Sequence, residues 1–338
     1  MTPDANASGD MDFIDRKTGL VVFGILEILL GILCALVVGF LLLATLAAWA
    51  LEGDAGQSFD TRMMLPSILP YVMLTVGFIW LGIGSIMARR WARALLLITS
   101  WFWLIVGILA IVFIILFSPT MFGQMGEAGE VPGDMVVVMM GVTIGVLAVF
   151  YIMIPGALVL FYRSEHVKAT CEHRDPHIRW TDKCPLPVLA VSIWVGISAA
   201  GMPTMGIYNW TIPFFGIVLT GMAGALVILL SLCVLVYAAW GMYRLNIQAW
   251  RCVVIMIIAW AVSSALTFWQ VGIVDYYEKM NLPVEQMEVM RQYGETMMSP
   301  MLFLGGLSMV AALVFLFYTK RYFVSPHAVS PGVSAGPA

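Results

Sequence analysis

Residues 184–243 read CPLPVLAVSIWVGISAAGMPTMGIYNWTIPFFGIVLTGMAGALVILLSLCVLVYAAWGMY, a stretch of 60 residues without an Asp, Glu, Lys or Arg. At 1.5 Å per residue, one helix of this length would measure about 90 Å, roughly three times the thickness of a bilayer core. The stretch must therefore fold back on itself. Pro203 and Pro213, with polar residues between them, predict the position of that turn.

The composition of the whole chain of 338 residues agrees with a membrane environment. Hydrophobic residues make up 61% and charged residues 11%, whereas ordinary soluble domains are about 25% charged. So few charges could not cover the surface of a soluble protein of this size. The sequence therefore predicts a polytopic membrane protein whose main partner is the lipid bilayer.

Other runs of helical length have almost no charge, and a span of a bilayer core needs about 20 apolar residues. These runs are residues 20–51 (which include Glu27), 63–88, 94–126, 135–162, 252–274 and 296–319. Together with the two helices of the long stretch they predict an all-α bundle of eight transmembrane helices.

The distribution of Lys and Arg predicts the orientation, because cytosolic loops carry an excess of these residues. With both termini in the cytosol, 14 of the 17 Lys and Arg residues lie on the inner side. An odd number of helices would destroy this alternation. No dense basic stripe is present, which argues against a nucleic-acid partner. The first 17 residues lack the features of a secretory signal.

The two halves of the chain resemble each other. Trp91 and Trp101 recur as Trp250 and Trp260 with the same spacing, and helix ends reading ALVLFY and ALVFLFY precede basic residues in both halves. We therefore predict a four-plus-four duplication with both copies in the same orientation. The predicted segments are an N-terminal tail (1–18), a first half (19–162), a linker loop (163–185), a second half (186–319) and a C-terminal tail (320–338).

Glu27 is the only Asp, Glu, Lys, Arg or His inside a predicted span. Ionisable residues in membrane helices are costly and usually face the bundle interior or water. Aligning the two halves places Ser192 at the equivalent position. The two residues are candidates for a polar site between the halves, whereas the alternative is a Glu that only hydrogen-bonds a neighbouring helix.

The linker loop, residues 163–185, is the most polar part of the chain and reads RSEHVKATCEHRDPHIRWTDKCP. One interpretation is a zinc site formed by Cys171, His173, His177 and Cys184, although their spacing matches no standard zinc finger. The other is a linker that contacts anionic lipid or a membrane-protein partner. The candidate contact residues are Arg163, Lys168, Arg174, Arg179, Trp180 and Lys183.

The string FYRSEHVKATCEHRDP…RWTDKCPLPVL, which spans this loop, resembles a loop of uncharacterised multi-pass membrane proteins of bacteria. It covers under a tenth of the chain. The resemblance implies a bacterial inner (plasma) membrane and no known activity, so it assigns a role to no residue.

Methionines are frequent near the predicted outer ends of the helices, and thioether ligands suit Cu(I), although Met also serves as adaptable packing. These residues are Met63, Met64, Met121, Met125, Met202, Met205, Met280, Met287, Met290, Met297, Met298 and Met301.

In the last outer loop, residues 283–294 predict a short amphipathic helix, beginning after Pro283 and ending at Gly294, that caps the bundle or contacts a partner.

The sequence contains no phosphate-binding Gly-rich loop, no HExxH motif and no nucleophile elbow. We therefore expect no enzymatic activity and predict no cofactor. The leading hypothesis is a non-enzymatic scaffold or accessory component of a membrane. The alternatives are a carrier of a small solute or ion around Glu27, and a metal-responsive membrane protein.

Overall fold

The computed structural model describes residues 14–55, 65–127 and 133–324. Within these residues, eight helices are long and apolar enough to cross a membrane. They confirm the all-α class and the eight helices predicted from sequence. The spans are Lys17–Ala47, Ile68–Ile86, Arg90–Leu116, Val137–Arg163, Leu186–Tyr208, Gly221–Tyr243, Ile247–Val271 and Met301–Phe323.

The α-helices of the described residues follow each other in this order: α1 (Lys17–Ala55), α2 (Leu65–Ile86), α3 (Arg90–Glu127), α4 (Gly133–Ala148), α5 (Ile154–Arg163), α6 (Glu165–Arg174), α7 (Leu186–Gly201), α8 (Gly221–Tyr243), α9 (Ile247–Val271), α10 (Ile273–Glu278), α11 (Val284–Thr319) and α12 (Arg321–Val324). A π-helical turn, Val149–Met153, joins α4 to α5. It precedes Pro155, which has no N–H to donate and so disturbs the regular helical ladder. The fourth span therefore consists of α4, this turn and α5.

The chain divides into two compact units. One contains Met1–Gln57, Ser67–Ile105 and Phe150–Lys183, and the other contains Ser58–Pro66, Val106–Val149 and Cys184–Ala338. The linker loop thus belongs to the first unit up to Lys183. The predicted duplication stays a prediction. The predicted tails, 1–18 and 320–338, lie largely outside the described residues.

The long uncharged stretch folds back where the prolines predict it. Helix α7 ends at Gly201, a 3₁₀ segment follows over Met202–Tyr208, and α8 begins at Gly221. The turn also contains a feature that the sequence did not predict, an antiparallel hairpin of β1 (Ile212–Phe214) and β2 (Ile217–Leu219).

Two hydroxyls of α9 hold this hairpin. Phe215 and Gly216 form its turn with positive φ angles. Their backbone N–H groups donate to Ser263 Oγ at 2.9 Å and Thr267 Oγ1 at 3.1 Å. Ser263 in turn donates to the carbonyl of Pro213. The side chains of a membrane helix therefore satisfy backbone groups that lack a partner in so short a hairpin.

The predicted short helix over residues 283–294 is wrong in its extent. Helix α11 begins at Val284, directly after Pro283 as expected, but continues without interruption to Thr319. Gly294 does not end a helix. It lies where Ile273 and Val274 of α10 approach α11, since a Cβ at this position would meet their methyl groups at 3.3–3.4 Å. This glycine therefore permits close packing inside a long helix.

Candidate functional site

Glu27 belongs to a narrow buried seam along α1. Leu20, Gly24, Glu27 and Gly31 are buried, and their spacing of four, three and four residues places them on one face of the helix. The neighbouring helix α2 approaches this seam closely, because a Cβ on Gly24 would lie 2.8 Å from the carbonyl oxygen of Gly82. Glu27 therefore occupies a tight helix–helix contact and has no exposed surface.

Three oxygen–oxygen contacts connect Glu27 to two further helices. Glu27 Oε1 lies 2.9 Å from Tyr162 Oη at the end of α5. Tyr162 Oη lies 2.7 Å from Ser85 Oγ at the end of α2. Ser85 Oγ donates to the carbonyl of Leu20 at 3.0 Å, which returns the chain of contacts to α1. We call these residues, Leu20, Glu27, Ser85 and Tyr162, the Glu27 junction.

The Glu27 junction is buried, and aromatic rings lie beside it. Its polar side chains are all buried, and Phe23 stacks on Phe161 beside it with ring centroids 4.3 Å apart. The second carboxyl oxygen of Glu27, Oε2, has no hydrogen-bond partner among the described residues. A buried carboxyl group whose second oxygen has no protein donor is unusual, because buried polar atoms normally have partners.

Ser192, the other half of the predicted polar site, lies in the second unit and has its own partner. Its hydroxyl donates to the carbonyl of Ala239 at 2.7 Å, which joins α7 to α8. The partners of Glu27 all belong to the first predicted half. The structure therefore gives each of these two residues a hydrogen bond within its own unit.

The linker loop folds into a compact element that we call the platform, residues Arg163 to Lys183. After Arg163 and Ser164 it consists of α6, an irregular segment over residues 175–179 and a 3₁₀ turn over Trp180–Lys183. Asp175, only 1% exposed, anchors the middle of the platform. Arg179 donates to both of its carboxylate oxygens at 2.8 and 3.1 Å, and Arg89 lies 3.8 Å away. The hydrogen bonds from Arg179 hold the pKa of the Asp175 carboxyl below its ordinary value.

Further ion pairs attach the platform to the ends of membrane helices. Arg90, the first residue of α3, pairs with Asp182 at 3.2 Å and with Glu172 at 3.5 Å. Arg174 pairs with Asp15, just before α1, at 2.7 Å. A single exposed pair contributes little, but several charges in a network hold a defined geometry better. The platform is therefore attached both to the residues that precede α1 and to the first residue of α3.

Five of the six predicted contact residues are basic, and these five fall into two groups. Arg174 and Arg179 are used in the ion pairs that hold the platform. Arg163, Lys168 and Lys183 are exposed and form no ion pair with another described residue. Trp180 is 44% exposed, and Ile178, two residues earlier, is 71% exposed. The platform thus presents apolar and basic side chains on an ordered backbone.

The structure does not gather the four candidate zinc ligands. No group of three or more His, Cys, Asp or Glu side chains suited to a metal occurs among the described residues. Cys171 and Cys184 are buried, which raises the pKa of their thiols to about 11 and about 12. His173 and His177 are exposed. Cys171 and His173 are two residues apart on α6, so they point to nearly opposite sides of the helix.

The outer methionine hypothesis stays a prediction. Met63 and Met64 lie outside the described residues. Among the described side chains, Met287 is buried near the start of α11, and Met301 is exposed on the same helix. These positions are as compatible with packing as with a soft-metal site.

Sequence reasoning missed Ser85 and Tyr162 as partners of Glu27. Glu27 lies ten residues after the start of α1, whereas Ser85 and Tyr162 lie at the C-terminal ends of α2 and α5, close to the basic residues that follow both helices. A hydroxyl at the depth of an isolated intramembrane acid was the available signal. The hydroxyls of Ser263 and Thr267 carried no comparable signal, since the hairpin that they hold was not predicted.

No protein-family model, no curated protein and no solved structure matches this chain. The fold and the eight spans define the class, an integral membrane protein that crosses the bilayer several times.

Proposed function

We propose that this chain is a non-enzymatic scaffold or accessory component of a bacterial inner membrane, with both termini and the platform in the cytosol. The platform is the surface that a membrane-protein partner contacts. The observation that supports this proposal is the burial of Asp175 between Arg179 and Arg89, which turns a polar loop into a fixed surface.

A fixed surface favours recognition because little conformational freedom is lost when a partner binds. The exposed residues also have suitable chemistry. Trp and Arg are the residue types that dominate binding energies in protein interfaces, and both Trp180 and Ile178 are exposed. Lys168 and Lys183 add positive charge that attracts an acidic partner and steers its approach.

Photocrosslinking in cells that make this protein naturally tests the proposal. A photoreactive amino acid replaces Ile178 on the platform and, as a matched control, Val284, an exposed apolar residue at the start of α11. We expect one protein to be captured from position 178, none of it from position 284, and at least a fivefold loss when Asp175→Asn loosens the platform.

Capture of the same proteins from both positions, or capture from position 178 that is indifferent to Asp175→Asn, would contradict the proposal. Circular dichroism of the Asp175→Asn protein establishes that its membrane helices are intact. This measurement separates the loss of a partner from general unfolding.

A carrier of a small solute or ion is a second candidate function, and one observation favours it. The Glu27 carboxyl is wholly buried among membrane helices and has one oxygen without a protein partner among the described residues. Ionisable groups in this setting often mark the route of a substrate or proton. Uptake by proteoliposomes tests it, with Glu27→Gln compared with Glu165→Gln on the exposed surface. Equal uptake by the two variants would remove its main support.

A further inference from the structure

The Glu27 junction contains three oxygen–oxygen contacts, and each needs one proton. The contacts measure 2.9 Å from Glu27 Oε1 to Tyr162 Oη, 2.7 Å from Tyr162 Oη to Ser85 Oγ, and 3.0 Å from Ser85 Oγ to the Leu20 carbonyl. All three lie within hydrogen-bond range. The carbonyl of Leu20 is an acceptor only, and each hydroxyl carries one proton. Ser85 and Tyr162 together therefore supply two protons for three contacts.

The third proton has only one source within the junction, the carboxyl group of Glu27. If Glu27 is a neutral acid, it donates to Tyr162, Tyr162 donates to Ser85, and Ser85 donates to the carbonyl of Leu20. Every contact is then a hydrogen bond. If Glu27 is ionised, two oxygen atoms face each other at 3.0 Å or less without a proton between them, and their lone pairs repel.

Among the described residues, no charged group acts on Glu27. Cys171 of α6 acts electrostatically on Tyr162, and Arg93 of α3 acts on Cys171 and not on Glu27. On α1, Lys17 precedes Glu27 by ten residues, which is about 15 Å along the helix. On α5, Arg163 follows Tyr162 but is exposed, and on α2 the titratable side chain is Tyr71, which is also exposed. Glu27 forms no ion pair with a described residue. An ionised carboxylate buried without a partner is strongly disfavoured, whereas the neutral acid avoids this cost.

We propose that Glu27 is a proton-binding site and that its carboxyl group is neutral in the arrangement described here. The bound proton completes the hydrogen-bond chain that joins α1, α2 and α5. On release, the O–H bond of Glu27 breaks, the electron pair stays on the carboxylate and water takes the proton. Tyr162 then donates to the carboxylate, and the 2.7 Å contact between Tyr162 and Ser85 loses its proton and must lengthen. This inference does not rest on either proposed function.

Infrared spectroscopy of the purified protein in lipid at neutral pH tests the proposal. A neutral carboxyl has a C=O stretch above the amide I band, and a carboxylate has its stretches below it. We expect the spectrum of the wild type to contain one carboxylic band that the spectrum of Glu27→Gln lacks. The matched control is Glu165→Gln at the exposed start of α6, for which the same difference should show carboxylate bands.

Carboxylate bands in the Glu27→Gln difference would overturn the proposal. A second variant guards against misfolding of Glu27→Gln, because Tyr162→Phe keeps Glu27 and removes its acceptor. The carboxylic band should shift in frequency in Tyr162→Phe and stay unshifted in Tyr71→Phe, which removes an exposed hydroxyl from α2. A band that is identical in both variants would refute the assigned hydrogen bond.

Discussion

The hydroxyl of Tyr162 should contribute measurably to the stability of the first unit. Tyr162 has no exposed surface, and its Oη contacts both Glu27 and Ser85. The change Tyr162→Phe removes two hydrogen bonds while it keeps the ring that packs against Phe23 and Phe161. Hydrogen bonds between membrane helices contribute about 0.6 kcal/mol on average and up to about 1.7 kcal/mol. The free energy of unfolding should therefore fall by about 1–3 kcal/mol.

A double-mutant cycle with Glu27→Leu isolates the contact between Glu27 and Tyr162. When Glu27 is already absent, Tyr162→Phe removes only the contact with Ser85, so its cost should fall by roughly half. Replacing both partners by apolar groups also removes the penalty of an unsatisfied buried carboxyl. We expect a coupling free energy of about 0.5–1.5 kcal/mol between the two positions.

Unfolding by denaturant in lipid bicelles measures these free energies. The control is Tyr71→Phe, which makes the same chemical change on the exposed face of α2 and should alter the stability by less than about 0.5 kcal/mol. If Tyr162→Phe is as harmless as Tyr71→Phe, or if its cost is the same with and without Glu27, the hydrogen-bond chain described here is not formed.

Three other predictions concern the packing of α1, the platform and its thiols. Gly24→Ala should destabilise the first unit because the new Cβ would lie 2.7 Å from Ile86 Cγ1 and 2.8 Å from a backbone carbonyl, whereas Gly39→Ala meets no atom within 4 Å and should be neutral or slightly stabilising in thermal unfolding. The pKa of Asp175 is lower in the folded state than its ordinary value of 3.8, so its stabilisation of the platform is present above pH 3.8 and is lost as the pH falls below this value through the folded-state pKa. Hydrogen exchange of the platform amides should accelerate over that range, and an acid-induced acceleration that persists in Asp175→Asn would assign it to another group. The pKa of the Cys171 thiol is raised from 9.0 to about 11, so at pH 8 it should be alkylated about 100-fold more slowly than an introduced thiol in Lys168→Cys on the exposed side of α6, and equal rates measured by mass spectrometry would contradict its burial.

The composition and the distribution of charge were sufficient to predict the membrane fold. A bilayer core requires a certain length of apolar helix whatever the rest of the chain does. The eight spans could therefore be counted directly from the uncharged runs, and the fold-back of residues 184–243 followed from length alone. The same reasoning singled out Glu27, because a charge is conspicuous in a hydrophobic segment.

The end of a predicted helix at Gly294 was wrong because glycine has two common roles. At a helix terminus it permits a left-handed backbone, and inside a helix it permits close approach of a neighbour. Which role applies depends on whether α10 packs against that position, and this contact is not encoded locally. The hairpin at residues 212–219 was missed for a similar reason, since its backbone groups find their partners on α9, about 50 residues later in the chain.

By itself, the sequence determined that the helices lie in a lipid bilayer, how many of them cross it, and that one acidic side chain lies among apolar residues. These features depend on local hydrophobicity and length. Only the tertiary structure decided that Glu27 meets Tyr162 and Ser85, residues 135 and 58 positions away, and that Asp175 fixes the polar loop into a platform. Hydrogen bonds and ion pairs act over about 3–4 Å, so their partners are set by how the helices pack and not by their order along the chain.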